Sequence, residues 1–108
     1  MSLVVIARDK GDGSLRRQHR AAHLEYVARH QDEIVYGGPL IEGGRTIGSL
    51  FIFASDSREA FDAYCAGDPY FTVPIFESVE MFDSRWLVPE RAPGALAAEM
   101  EKARTESK

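Results

Sequence analysis

Successive side chains of a β-strand point to opposite faces of the sheet, so a strand that is apolar at every position needs cover on both sides. The chain contains two such runs, LVVIA at residues 3–7 and LFIFA at residues 50–54. In the first, Leu3, Val5 and Ala7 oppose Val4 and Ile6. In the second, Phe51 and Phe53 oppose Leu50 and Ile52. Any fold built on these strands must bury two faces, and 108 residues provide one domain with which to do it.

The rest of the pattern says what is available as cover. DKGDG at residues 9–13 is loop chemistry, and Ser14 then stands as an N-cap before a stretch free of Gly and Pro up to about His30. Leu24, Val27 and Ala28, with Ala21 a turn earlier, are the expected apolar stripe of this first helix. EIVYGGPLI reads as a strand interrupted by Gly37, Gly38 and Pro39, and IEGGRTIG as a glycine-rich hairpin leading into the next strand. A second helix is expected from Asp56, where D-S-R-E has the form of a capping box, with Ala60, Phe61 and Tyr64 facing inward and Gly67 at its C-terminal cap. IFESVEMFDS is the last strand. The order is βαββαβ, an α+β, ferredoxin-like plan: a four-stranded antiparallel sheet with two helices on one face. Two helices cover one face only, so the other is expected to pack sheet to sheet in a homodimer. This domain spans residues 1–88; residues 89–108 form an extension, helical or mobile, with Leu96 and Met100 as its weak stripe.

Charge and composition remove several classes of function. A net charge of −4 argues against a nucleic-acid partner, although a local basic patch around Arg16, Arg17 and Arg20 is compatible with it. No stretch approaches the roughly 20 apolar residues that span a bilayer. The single cysteine, Cys65, can form no disulfide within the chain, and the N-terminal apolar run is too short for a signal peptide. The expectation is a cytoplasmic protein with no nucleic-acid or membrane partner and a small molecule as its ligand.

The chemistry-bearing residues concentrate on the first helix, which holds all three histidines: His19, His23 and His30. With Tyr26 they fall within an arc of roughly 60° at helical spacing, and Arg16 and Arg20 flank it. His19 and His23 have the i, i+4 spacing of a metal pair, but no H-E-x-x-H glutamate or Cys/His cluster accompanies them, so no metal and no cofactor are expected. A single histidine acting as general acid or base beside a carboxylate is the second reading. Solvated surface histidines are the third, and fit His19 and His30 best. Asp68, after Gly67 and before Pro69, is the candidate carboxylate, although an Asp-Pro turn also needs no further function. Gly37, Gly38 and Pro39 read either as a strand bulge or as space for a ligand. Tyr70 reads as core or as pocket. Ser49 lacks the context of a hydrolase nucleophile, and Cys65 is expected to be inert.

RAAHLEYV in the first helix, GGPL in the second strand, GS in the third and GDPYF after the second helix occur here in that order. With these fragments the chain resembles the YciI-like (YCII-related) family of dimeric ferredoxin-like α/β-barrel proteins over about residues 2–86. The resemblance implies an active site of His23, from R-x-x-H-L, and Asp68, from D-P-Y. Arg20, the segment Gly37, Gly38, Pro39, and Tyr70 would bind the substrate. It further implies a cofactor-independent lyase or isomerase, the best-defined activity in the family being removal of chloride from a chlorinated hydroxyhydroquinone. The alternative is a non-catalytic dimer that binds a metabolite.

Overall fold

The computed structural model describes residues 1–107. In chain order it comprises β1 (Ser2–Asp9), α1 (Ser14–Ala28), β2 (Ile34–Glu42), β3 (Arg45–Phe53), α2 (Arg58–Cys65), the single-turn α3 (Pro69–Thr72), β4 (Phe76–Ser84) and α4 (Ala95–Glu106). A 3-10 turn at Gln31–Glu33 precedes β2. The strands form one sheet in the order β2-β3-β1-β4, every neighbouring pair antiparallel. This is the ferredoxin-like α+β fold.

β1 and β3, the two runs that are apolar throughout, take the central positions. Leu3, Val5, Ala7, Phe51 and Phe53 turn to one face and are buried. Phe61 and Tyr64 of α2 and Tyr26 of α1 pack onto them, so both helices cover the same side. Phe53 meets the rings of Phe61 and Tyr64 edge-on at 5.3 and 4.9 Å, a favoured aromatic geometry. On the opposite face Val4 pairs with Ile52 and Ile6 with Leu50. All four are half-buried, and Phe82 beside Val4 is 50% exposed.

Local chemistry explains where the elements begin and end, and it departs from the sequence reading at several points. Ser14 does not cap α1; Gly13 is the N-cap, and the Ser14 N–H donates to the Asp12 carboxylate at 3.0 Å. The α2 cap lies one residue later than the capping box implied, with Ser57 Oγ accepting from the Ala60 N–H. β2 is not interrupted: Gly37, Gly38 and Pro39 pair in register with Phe51, Leu50 and Ser49, and the irregularities flank them, between Ile34 and Tyr36 and between Leu40 and Ile41. β2 is an edge strand, where a proline is tolerated. Gly43 and Gly44 join β2 to β3 with φ of +57° and +78°, the left-handed pair a tight hairpin requires.

Two other glycines serve close approach. A Cβ on Gly48 would stand 2.1 Å from the Ala7 carbonyl oxygen, so only glycine lets β3 run so near β1 there. Gly67 does not end α2 with a left-handed residue. A Cβ there would fall 2.5 to 2.8 Å from the Tyr26 ring, whose hydroxyl donates to the Tyr64 carbonyl oxygen at 2.7 Å. Gly67 is therefore the place where α1 touches the end of α2.

After β4 the chain passes Trp86, Leu87 and Val88, which line a hollow with Val4 and Ile52 at one end of the open sheet face. α4 buries no residue. The radius of gyration is 16.8 Å, against about 13 Å for a compact chain of this size, as befits a helix standing off the domain. No described helix is long and apolar enough to cross a membrane.

Candidate active site

The expected apolar stripe of α1 does not face the core. Ala21 and Ala28 are exposed and Leu24 is 47% exposed, whereas the buried residues of the helix are Arg16 and His23. The inward face follows the 3-4-3-4 spacing of Arg16, His19, His23, Tyr26 and His30, all buried or half-buried. A helix can turn such residues inward when partners satisfy them, and each buried one has a partner.

Asp68 is the centre of the arrangement. Pro69 holds it extended, at φ −84° and ψ 118°, as the N-cap of α3. Its carboxylate is fully buried. Oδ2 accepts from the Tyr64 hydroxyl at 2.7 Å; Oδ1 accepts from the Tyr70 N–H at 2.9 Å and lies 2.8 Å from His23 Nδ1. Burial first, and then the bond to Asp68, push the Tyr64 phenol far above its ordinary value, so it stays protonated and donates. A carboxylate has no proton to give, so Nδ1 is the donor to Oδ1 and the lone pair of neutral His23 lies on Nε2. The His23 ring is further fixed by stacking on Tyr70 at 3.6 Å and 4°, and by an edge contact with Phe51. Asp68 is thus turn former and histidine partner through one oxygen.

His23 and Tyr70 line a cavity of about 350 Å³ between α1 and β2. Gly37, Gly38 and Pro39 form its opposite wall, Arg20 its polar rim, and Leu24, Val27 and Ile34 an apolar side. The structure thereby brings His23, Arg20, Gly37, Gly38, Pro39 and Tyr70 around one space, with Asp68 behind His23 and out of contact with it. A Cβ on Gly37 would meet Phe51 and Ile34 at 3.6 Å, and one on Gly38 would meet Tyr36 at 3.5 Å, on the other face of the strand. The Tyr70 hydroxyl is buried with no hydrogen-bond partner among the described residues.

His19 and His30 do not line this cavity. His30 Nδ1 lies 2.6 Å from Glu33 Oε2, and its ring stacks on Tyr26. Among the described residues no cluster of three or more His, Cys, Asp or Glu side chains could hold a metal ion. Burial, with the charges of Asp68 and Asp62 behind it, pushes the Cys65 thiol up to about 12, so it is no nucleophile at neutral pH.

Of the lining residues that the sequence reading did not assign to the site, two are buried and polar. Arg16 is 5% exposed, donates through Nε and Nη2 to both oxygens of Asp9 at 2.8 and 2.9 Å, and donates through Nη2 to Ser49 Oγ at 2.7 Å. Its guanidinium lies 4.8 Å from the centre of the Tyr70 ring, a cation–π contact. Ser49 is the other, buried on β3 as an acceptor for Arg16. The available signal was the 3-4-3-4 spacing, which places Arg16 on the face of His23.

A four-stranded antiparallel sheet with two helices on one face sets the class of the fold as ferredoxin-like. Residues 1–85 match the model of the YCII-related domain, and the chain belongs to that family. Its fold is shared with 5-chloro-2-hydroxyhydroquinone dehydrochlorinase from Burkholderia phenoliruptrix, solved with 2,5-dihydroxybenzoquinone. That likeness has a TM-score of 0.69 at 24% identity and covers 80% of this chain and 93% of that one. A second match is SnoaB, a cofactor-independent oxygenase from Streptomyces nogalater, with a TM-score of 0.51 at 18% identity, covering 82% of this chain and 96% of that one. No curated protein is similar enough to count as a relative.

Proposed function

We propose that this protein is a cofactor-independent lyase or isomerase acting on a small aromatic or enolisable molecule, with His23 as the acid–base residue. The observation that carries the reading is the buried Asp68 carboxylate 2.8 Å from His23 Nδ1, which leaves Nε2 as the basic nitrogen at a cavity of about 350 Å³. Nε2 takes the proton of a substrate hydroxyl or of an acidic C–H. The electron pair released becomes a carbonyl or shifts a double bond, and in a lyase it expels the leaving group. Asp68 holds the tautomer and stabilises the imidazolium, while Arg20 and the Tyr70 hydroxyl meet charge developing on the substrate oxygen. The dehydrochlorinase that shares the fold acts on a phenolic ring, which supports the substrate class.

The working unit in this reading is a homodimer packed through the open sheet faces, with residues 1–88 as the catalytic domain and residues 89–108 as an appendage. The test is turnover of hydroxyhydroquinones and related enolisable compounds by the whole protein, followed by ultraviolet absorbance. Positioned acid–base catalysis contributes about 10²- to 10⁴-fold, so His23→Ala should lower kcat/KM by that factor with an unchanged circular dichroism spectrum. Full activity in His23→Ala would remove the assignment. A compound that binds tightly and is recovered unaltered would favour a metabolite-binding dimer instead.

A further inference from the structure

A second hollow, of about 420 Å³, adjoins the His23 cavity and shares Arg16, Arg20 and Pro39 with it. Gly13, Arg17, Arg45 and Thr46 complete its wall. Four of the chain's 13 basic residues therefore meet at one place on a protein whose net charge is −4. Among the described residues only Arg16 of the four is in an ion pair, and Asp12 attracts Arg17 without pairing with it. Asp9 is committed to Arg16 through two hydrogen bonds, and Asp12 accepts from the Ser14 N–H. Arg17 donates only to the Asp12 main-chain oxygen, at 3.3 Å. Glu42 stands opposite Arg45 in the hairpin without an ion pair to it. Among the described residues Arg17, Arg20 and Arg45 have no carboxylate partner within ion-pair distance.

Three unpaired guanidiniums at one mouth repel one another, and an anion between them would relieve this. Guanidinium forks match the oxygens of carboxylates and phosphates, and a cleft of one charge sign focuses its field on an approaching ligand. The adjoining His23 cavity opens beyond Arg16, Arg20 and Pro39, so a ligand held at the arginines reaches it directly.

We infer that the substrate carries an anionic substituent, a carboxylate or a phosphate, which Arg17 and Arg45 hold while its phenolic or enolisable part lies against His23 and Arg20. This rests on the His23 cavity being the site of reaction. It adds a specificity rule: the protein selects acidic substrates over neutral ones of the same shape.

The test is a pair of binding comparisons by calorimetry on the whole protein at low and at 0.3 M salt. One sets 2,5-dihydroxybenzoate against hydroquinone, the other phenyl phosphate against phenol. The anionic member of at least one pair should bind tenfold or more tightly, and which pair shows it distinguishes carboxylate from phosphate. The preference should shrink with salt, because exposed charges are screened, and should fall at least threefold in Arg17→Gln and in Arg45→Gln. A ratio below tenfold in both pairs, or a ratio indifferent to both substitutions, overturns the inference. The same ratios measured in His23→Gln keep the two readings apart. Surviving turnover there removes the proton-transfer role, while an intact ratio leaves the acidic preference standing.

Discussion

Taking the carboxylate from Asp68 strands three buried donors together: the Tyr64 hydroxyl, the Tyr70 N–H and His23 Nδ1. Each unsatisfied buried donor costs about 1–3 kcal/mol, so Asp68→Ala should lose at least about 3 kcal/mol of stability. Asp68→Asn should behave differently. Its amide oxygen can still accept from His23 and Tyr70, and its NH₂ can donate to the Tyr64 oxygen if that hydroxyl turns. The fold should then survive nearly intact, but the imidazolium loses its counter-charge, so turnover should fall by at least tenfold. Urea denaturation beside turnover separates the two variants. A loss below about 1 kcal/mol in Asp68→Ala would show that these hydrogen bonds do not hold α3 in place, and an equally large loss in both variants that the amide does not replace the carboxylate. At this scale the sequence told part of the story. The Asp-Pro turn was readable from Pro69 and Gly67, whereas the pairing with His23 was only a candidate, from topology and then from family resemblance, because no local pattern links positions 45 residues apart.

Hydrophobic patterning failed on α1 because its inward face is satisfied by hydrogen bonds and ring stacking in place of apolar burial. Leu24 and Val27 border the cavity while Arg16 and His23 fill the interior. The docking of α1 onto α2 depends on Gly67, since a Cβ there would press to within 2.5 Å of the Tyr26 ring. That ring is tethered by its hydroxyl to Tyr64 and stacked on His30, so it cannot yield freely. Gly67→Ala should therefore cost roughly 1–3 kcal/mol, as overpacking does, read from the midpoint of urea denaturation. In a Tyr26→Ala background the same change should be close to neutral, and the double-mutant cycle isolates the contact. Additive effects of the two substitutions would show that the ring and Gly67 are not in conflict.

The open face of the sheet matters for the molecule as a whole. Val4, Ile6, Leu50 and Ile52 form a half-buried apolar strip with Phe82 at its side, and α1 and α2 pack on the other face. A contiguous apolar patch of this kind is ordinarily covered by a partner. The protein is expected to sediment at twice its 12.0 kDa chain mass at micromolar concentration. Ile52→Glu, which sets a charge in the middle of the strip, should return it to a monomer with its far-ultraviolet spectrum preserved. A wild-type protein that sediments as a monomer at 50 µM would refute the sheet-to-sheet dimer.

Strand alternation, the glycine hairpin and the order of elements are properties of short windows, so the sequence by itself determined the ferredoxin-like plan. The two-sided apolar character of β1 and β3 likewise carried the expectation that one sheet face is covered from outside the helices. Only the tertiary structure decided which residues of α1 turn inward, because that depends on partners such as Ser49, 33 positions from Arg16. It also decided that Arg45 of the β2–β3 hairpin faces the same hollow as Arg17 and Arg20 of α1. Periodicity records the environment of a residue's immediate neighbours. A site records which distant residues the chain brings together, and that is settled only when the helices dock on the sheet.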